Sequence, residues 1–378
     1  MMTVVFWVTC FLIFMAYPGY LMGLIVFRAI SSRPIDKQEI EPKVSIIIAA
    51  YNEEAVIEQK ILNTLEMDYP ASLLEIIVTS DCSSDRTDSI VEKYQNRGVN
   101  LLRLKNRGGK TVAQNESLKY ADGDILVFSD ANSMYRKDAI RKLVRNFKDP
   151  AVGCVGGRLT YYRGDTDELI KEKEMYLSFD QYYKKLESDI YTCIGVDGAI
   201  YAIRHTLARP LPDTLTTDFM VPLDVITQGY RVIFEPEAVT YEQVASSTGV
   251  EYKRKIRTVR VGMTVLYELR HLLNPLKYSW ASVFLLFHKL FRWMFPFFLV
   301  TLMVSNLMIF HLNVFYKIIF FLQILFYGFA IVGFFIRRRN PVKIFTVPFY
   351  FCMYNACALV GFAGFLFMEK TEIWEVER

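Results

Sequence analysis

The chain has 378 residues, a formal net charge of +4, 52% hydrophobic residues and 15% aromatic ones. A mean hydropathy of +0.20 is too apolar for a simple soluble enzyme, and so small a net charge does not point to a nucleic-acid partner. The apolar excess is uneven: it sits in residues 4–27 and again from about 281 to 368, leaving residues 42–277 as ordinary globular sequence.

In chain order, residues 1–28 come first, with no charged side chain before Arg28. This stretch is long enough to span a bilayer and lacks the basic leader of a cleavable signal, so it reads as a retained anchor, kinked at Pro18-Gly19. Arg28, Arg33, Lys37 and Lys43 follow it. Val44-Ser45-Ile46-Ile47-Ile48-Ala49-Ala50 is a buried strand, after which Asn52 is placed to cap a helix carrying Val56, Ile57, Ile61 and Leu65 at helical spacing. A second strand at residues 74–78 ends in Thr79-Ser80-Asp81, and Asp85-Arg86-Thr87-Asp88 opens the next helix, 89–94. A third strand covers residues 100–104, and Arg107-Gly108-Gly109-Lys110 leads into a helix through Leu118. Then Ile125-Leu126-Val127-Phe128 runs into Ser129-Asp130-Ala131-Asn132. Asp130 and Asn132 alternate around Ala131, so both can turn oxygens toward one hard cation or diphosphate.

Strands alternating with helices over short links predict an α/β domain with a parallel, doubly wound sheet. Taken singly, its polar punctuation is unremarkable. Glu53 suits the first turn of a helix, Asp81 and Asp85 suit turns and caps, and Gly108-Gly109-Lys110 suits a surface loop. Together they fall at the carboxyl ends of strands, the edge where open α/β sheets bind ligands.

Beyond the sheet, Arg254, Arg257 and Arg260 recur every three residues and share a helical face, with Tyr252, Ile256, Val259 and Met263 on an apolar side. Such a row suits either a departing diphosphate or anionic lipid headgroups. Three further spans are expected at about 282–310, 314–336 and 342–368. Arg337-Arg338-Arg339 lies between the last two, and the basic residues after the first anchor agree with it. The positive-inside rule then places the large domain in the cytoplasm and both termini, including the tail 369–378, outside the cell membrane. Six cysteines without paired spacing and four scattered histidines indicate neither zinc nor disulfides.

From about Val44 through Leu273 the chain resembles glycosyltransferase family 2, whose domain has the GT-A nucleotide-sugar fold. The opening Val-Ser-Ile-Ile-Ile-Ala-Ala-Tyr-Asn-Glu-Glu is similar to that family's first-strand signature, and the membrane layout resembles cellulose, chitin and hyaluronan synthases and ceramide glucosyltransferases. The resemblance implies that Ala50, Tyr51 and Glu53 border the nucleotide, that Asp81 contacts the base, and that Lys110 lies near the phosphates. Asp130 and Asn132 fall on the family's Asp-x-Asp motif for a divalent cation, Mg²⁺ or Mn²⁺, with Asn as a departure that supplies less charge. Val196-Asp197-Gly198-Ala199 resembles the acceptor-side segment, where Gly198 lets backbone approach a sugar. Thr216-Thr217-Asp218 falls on Thr-Glu-Asp, and the resemblance makes Asp218 the general base; on residues alone, Asp218 reads first as the cap of a helix at 219–227. Arg254 and Arg257 fall on Gln/Arg-x-x-Arg-Trp, with Thr258 in place of Trp, and Lys289-Leu290-Phe291-Arg292-Trp293 is a second, weaker echo of that pattern.

The implied layout is an anchor at 1–28, a catalytic domain at 42–250, interfacial helices at 251–280, three spans at 281–368 and a tail. The implied activity is inverting transfer of a hexosyl or N-acetylhexosaminyl group from a UDP-linked donor to a growing exopolysaccharide or, alternatively, to a single lipid. A subunit that binds nucleotide sugar without transferring it also stands, motivated by the departures at Asn132 and Thr217.

Overall fold

The computed structural model describes residues 1–162, 168–243, 248–336 and 342–367. The expected basic loop at Arg337-Arg338-Arg339 and the tail 369–378 lie outside the described residues. The chain gathers into two compact units: residues 27–243 with 274–281, and residues 1–26, 248–273 and 282–367.

The first unit is built on one eight-stranded sheet of order β3-β2-β1-β4-β7-β6-β8-β5. Its strands are β1 (Val44–Ala50), β2 (Leu74–Ser80), β3 (Val99–Arg103), β4 (Ile125–Asp130), β5 (Met134–Tyr135), β6 (Val152–Tyr162), β7 (Ile200–Arg204) and β8 (Arg231–Gln243). β3, β2, β1 and β4 pair in parallel. β1 is buried along its whole length, which is why it reads as an unbroken apolar run rather than an alternating one. Its Ile46 and Ile48 join Val78, Val127, Ile57 and Ile61 in one core, each such side chain contributing roughly 1.5–3 kcal/mol by leaving water.

Helices α3 (Ile57–Leu65), α4 (Thr87–Glu92) and α5 (Lys110–Ser117) link these strands; α6 (Ala139–Val144) and α7 (Glu168–Ile190) follow, and α8 (Thr217–Thr227) precedes β8. The sheet departs from a purely parallel one at β7, which runs antiparallel to both β4 and β6. The four strands read from the sequence are only its parallel half. Asn52 does not cap α3, which begins five residues later. Its φ is 53°, and its side-chain oxygen instead accepts the Ser84 N–H at 2.8 Å. The N–H groups of Asn52, Glu53 and Glu54 likewise donate to Ser83, Thr87 and Asp85, so the turn after β1 is tied to the turn after β2.

The second unit is helical. α1 (Met2–Ala16) and α2 (Pro18–Ile30), whose last residues belong to the sheet unit, meet at a 53° bend. Pro18, which has no N–H to donate, breaks the ladder there. α9 (Thr248–Glu268) is followed by α10 (Trp280–Ile309), α11 (Val314–Ile336) and α12 (Lys343–Leu366). The last three are long and apolar enough to cross a membrane, and the bent pair would make a fourth span. α9 lies directly on α12: a Cβ at Gly361 would stand 2.7 Å from the Ile256 carbonyl oxygen and 2.9 Å from Val259 Cβ. The apolar side expected for this helix is therefore packed against α12. Trp293 of α10 meets α9 at Gly262.

In the sheet unit, Glu235 of β8 has a side chain only 1% exposed and is met by Lys37 at 2.8 Å, Arg145 at 3.1 Å and the Asn146 amide at 3.1 Å. Burial alone would raise its carboxyl; the Lys37 hydrogen bond and charge, a backbone N–H and Arg145 outweigh it and hold it below the usual range. A carboxyl that titrates lower folded than unfolded contributes fully above the unfolded value near 4.5 and stops contributing as pH falls through the folded one. Glu235→Gln is expected to cost about 1.5 kcal/mol at neutral pH, because it weakens the charge-assisted bonds from Lys37, which is exposed, and Arg145, which keeps Glu237 at 2.9 Å. Thermal melts from pH 7 to below 4 would also show a shallower loss in the variant than in the wild type, since the titrating group is gone.

Candidate active site at the carboxyl edge of the sheet

Parallel register brings the strand ends together. Ala50 of β1 stands beside Ser80 of β2, and Ala49 beside Asp130 of β4. The residues that follow those strands therefore share one rim. Tyr51 lies there with the Arg107 guanidinium 3.9 Å from its ring centre, a stacked pair at the expected nucleotide side. Glu53 is buried, and its backbone N–H donates to Thr87 Oγ1 at 2.8 Å.

Asp81 is 1% exposed. Its Oδ1 accepts the Gly108 N–H at 2.7 Å and its Oδ2 the Gly109 N–H at 2.8 Å. A carboxylate so placed anchors the loop that opens α5 and sets the direction of Lys110, the first residue of the helix. This looping role is additional to the base contact that the resemblance implies. Lys110 Nζ forms an ion pair with Asp130 Oδ1, joining the starts and ends of two different elements across the rim. Asn132 is exposed, two residues beyond Asp130.

Gly198 closes the arrangement. A Cβ built on it would stand 3.2 Å from Lys110 Nζ and 3.5 Å from Asp218 Cβ. Lys110 and Asp218 thus both approach the point beside Gly198, where a methyl group would press on the Lys110 ammonium. Asp218 is half-buried in the first turn of α8, whose cap position is Thr216, so it is not the cap. Its backbone carbonyl accepts the Val196 N–H at 3.1 Å, which fixes the acceptor-side segment to α8. Lys110, Asp130, Gly198 and Asp218 are brought together. Arg254 and Arg257 lie on α9, in the helical unit.

Two buried lysines, Lys184 and Lys60, lie outside the sequence motifs. Lys184 of α7 is buried and bridges Asp180 at 3.0 Å and Asp197 at 3.2 Å. Burial raises the Asp197 carboxyl, against the pull of Lys184, and Asp180 and Asp218 add to the rise. Lys60 of α3 is completely buried; burial lowers its ammonium to about 7, opposed by the charges of Asp130 and Glu242. The signal for Lys60 was present: it interrupts the apolar face formed by Ile57, Ile61 and Thr64. The pairing of Lys184 with Asp197, 13 residues further on, carried no such signal, because it depends on how the chain turns between α7 and the segment at 196–199.

Asp130 and Asn132 suit a divalent cation as far as they go. One carboxylate and one amide oxygen are hard ligands, and among the described residues no group of three or more His, Cys, Asp or Glu is gathered to hold a metal. Such a pair fits a cation whose remaining positions are filled by substrate phosphates and water, the usual manner of Mg²⁺.

Residues 45–209 match the model of Glycosyl transferase family 2, and the chain carries a glycosyltransferase family 2 domain. It is similar to the probable glycosyltransferase YdaM of Bacillus subtilis (strain 168), 29% identical over 268 residues, which are 68% of this chain and 64% of that protein. It is also similar to the poly-beta-1,6-N-acetyl-D-glucosamine synthase of Staphylococcus aureus (strain COL), 28% identical over 250 residues, 64% of this chain and 59% of that one. The chain thus spans less than two thirds of the length of these relatives. Among solved structures, the mannosyltransferase PcManGT from Pyrobaculum calidifontis, in complex with GDP-Man and Mn²⁺, has the same fold, with a TM-score of 0.72 at 19% identity over 97% of this chain and 99% of that one. The α/β sheet unit therefore has the GT-A fold.

The close approach at Gly198 gives a direct test. Gly198→Ala is expected to leave circular dichroism unchanged while weakening nucleotide-sugar binding by about tenfold or more, since the added methyl displaces the Lys110 ammonium. Calorimetric titration of the purified variant would measure it.

Proposed function

We propose that this chain is a membrane-bound, inverting glycosyltransferase that moves a sugar from a nucleoside-diphosphate donor, UDP-linked, to a polysaccharide growing at the membrane. The observation that carries this reading is the convergence of Lys110, Asp130 and Asp218 around Gly198. One end of this cluster offers cationic and cation-binding groups for a diphosphate; the other offers a single carboxylate.

Inverting transfer needs little more. Tyr51, with Arg107 stacked on it, and Glu53 would border the nucleotide, while Lys110 neutralises phosphate charge. Asp130 and Asn132 would hold the divalent cation, which supplies electrophilic stabilisation of the diphosphate as it leaves. Asp218 then takes the proton from the acceptor hydroxyl as that oxygen attacks the anomeric carbon from the face opposite the leaving group. Gly198 leaves room for the acceptor sugar between Lys110 and Asp218. The family pattern gives Arg254 and Arg257 a share in stabilising the departing diphosphate.

Polymer as acceptor is supported by the polysaccharide synthase among the relatives; the three apolar helices support action at a membrane. Arg28, Arg33, Lys37 and Lys43 support a cytoplasmic catalytic domain. The layout of anchor, catalytic domain at 42–250, helices at 251–280 and spans at 281–368 belongs to the same proposal.

Asp218→Asn is expected to lower transfer by about 10²–10⁴-fold with nucleotide binding retained, as for loss of a general base. Unchanged transfer in this variant would remove Asp218 from the mechanism. Product length settles the acceptor: purified protein given a labelled UDP-sugar should yield a ladder of oligomers, whereas a product of one sugar on lipid would replace the polymer by a glycolipid.

A further inference from the structure

α3 reaches the donor site from behind. Ile57, Ile61 and Thr64 form its buried face, and a lysine stands among them with no exposed surface at all. Lys60 Nζ donates to the Ser133 carbonyl oxygen at 2.5 Å and lies 3.7 Å from the centre of the Tyr135 ring. Asn63, three residues on and next to it on the helix surface, accepts the Tyr135 N–H at 2.8 Å and donates to the Tyr135 carbonyl at 2.9 Å. Two side chains of one helix thus take three backbone groups of residues 133–135, the segment that begins immediately after Asn132.

The same segment is fastened from its other side. The Ser133 hydroxyl donates to the Glu242 carboxylate. The Tyr135 hydroxyl donates toward the carbonyls of Phe128 at 3.2 Å and Ala199 at 3.3 Å. Phe128 lies two residues before Asp130, and Ala199 follows Gly198. The turn 130–132 is therefore held at both ends: Lys110 pairs with the Asp130 side chain, and Lys60 is the cation that grips the backbone just beyond it. An apolar side chain would fill this buried position without the desolvation penalty of an ammonium. A charged donor there makes sense where its bond to the Ser133 carbonyl serves the turn.

We propose that Lys60 and Asn63 are positioning residues of the donor site: they clamp the backbone at 133 and 135 and so fix the angle at which Asp130 and Asn132 present oxygens to the cation and the sugar diphosphate. This rests on the donor-site reading of Asp130. Neither residue touches the donor. Both act through the turn, as outer partners of metal ligands do, whose loss typically costs about 10–100-fold in metal affinity.

The test uses the full chain in detergent, titrated calorimetrically with Mn²⁺ in the presence of UDP. Lys60→Met keeps length and apolar bulk while removing the donor and the charge; it should raise the Mn²⁺ concentration for half-saturation by about tenfold or more. Asn63→Asp keeps the acceptor for the Tyr135 N–H and loses the donor to its carbonyl; it should show a smaller rise in the same direction. Asn132→Asp, which supplies a stronger ligand on the same turn, should recover part of the loss in the Lys60→Met background, an effect that a purely structural role would not produce. Wild-type Mn²⁺ dependence in a folded Lys60→Met overturns the proposal. If that variant does not fold, Asn63→Asp decides, and wild-type dependence there overturns it equally. Asp130→Ala separates the two levels: if it binds Mn²⁺ and UDP as the wild type does, the donor-site reading itself has failed, whereas loss of binding in Asp130→Ala beside normal Lys60 and Asn63 variants sinks only the clamp.

Discussion

The site depends on one constraint, the in-register parallel pairing of β2, β1 and β4. Because Ala50 is level with Ser80 and Ala49 with Asp130, each strand releases its chain at the same height, and side chains from three distant stretches meet on one rim. Parallel strands need crossovers that pack on the sheet faces, and α5 turns this need into chemistry. Its first residue, Lys110, is carried back to the rim, where it pairs with Asp130. A slip of one residue in β4 would send Asp130 to the other face of the sheet. The fully buried, β-branched run of β1 holds the register.

Around that frame, buried charges act as fasteners. Asp81 grips two backbone N–H groups, Lys184 joins α7 to the acceptor segment through Asp197, and Lys60 grips the turn after Asn132. Each incurs a desolvation cost that an apolar side chain would avoid, and each offsets it with hydrogen bonds of defined direction. A packed apolar contact tolerates sliding; a carboxylate that receives two neighbouring N–H groups does not. The rim is thereby stiffened at the loops, which are otherwise the softest parts of an α/β fold.

What was legible in the sequence follows from this division. Motifs that end strands or open helices, such as Asp81, Lys110, Asp130 and Asp218, were visible because each interrupts a strong local pattern. The parallel half of the sheet was visible for the same reason: apolar runs of five to seven residues separated by helical spacing have one plausible arrangement. The other half of the sheet, with antiparallel β7 and the parallel pair β6 and β8, was not, because β6 and β8 carry bulges and mixed patterns and their pairing is set by tertiary contacts rather than by local sequence. Asn52 misled because a residue suited to capping was instead used in the left-handed region to tie two turns together. Lys60 was passed over because helical periodicity tallies apolar positions, and a lysine on the wrong face reads as noise.

The same reasoning clarifies the arginine row of α9. Taking about 100° per residue, Tyr252, Ile256, Val259 and Met263 cluster on one side of the helix, while Arg254, Arg257 and Arg260 centre about 130° away from them. The close approach of Ile256 and Val259 to Gly361 shows that the apolar side is the one used for packing on α12. The arginine row is therefore centred away from the packed apolar side, while Lys255 reaches α12 over the Tyr354 ring at 5.4 Å. Shortening the exposed Arg254 alters the charged face and leaves the Gly361 contact of Ile256 and Val259 in place, so its effect on catalysis or on lipid binding can be read apart from helix packing. A helix in which both duties fell on the same residues would not permit that separation.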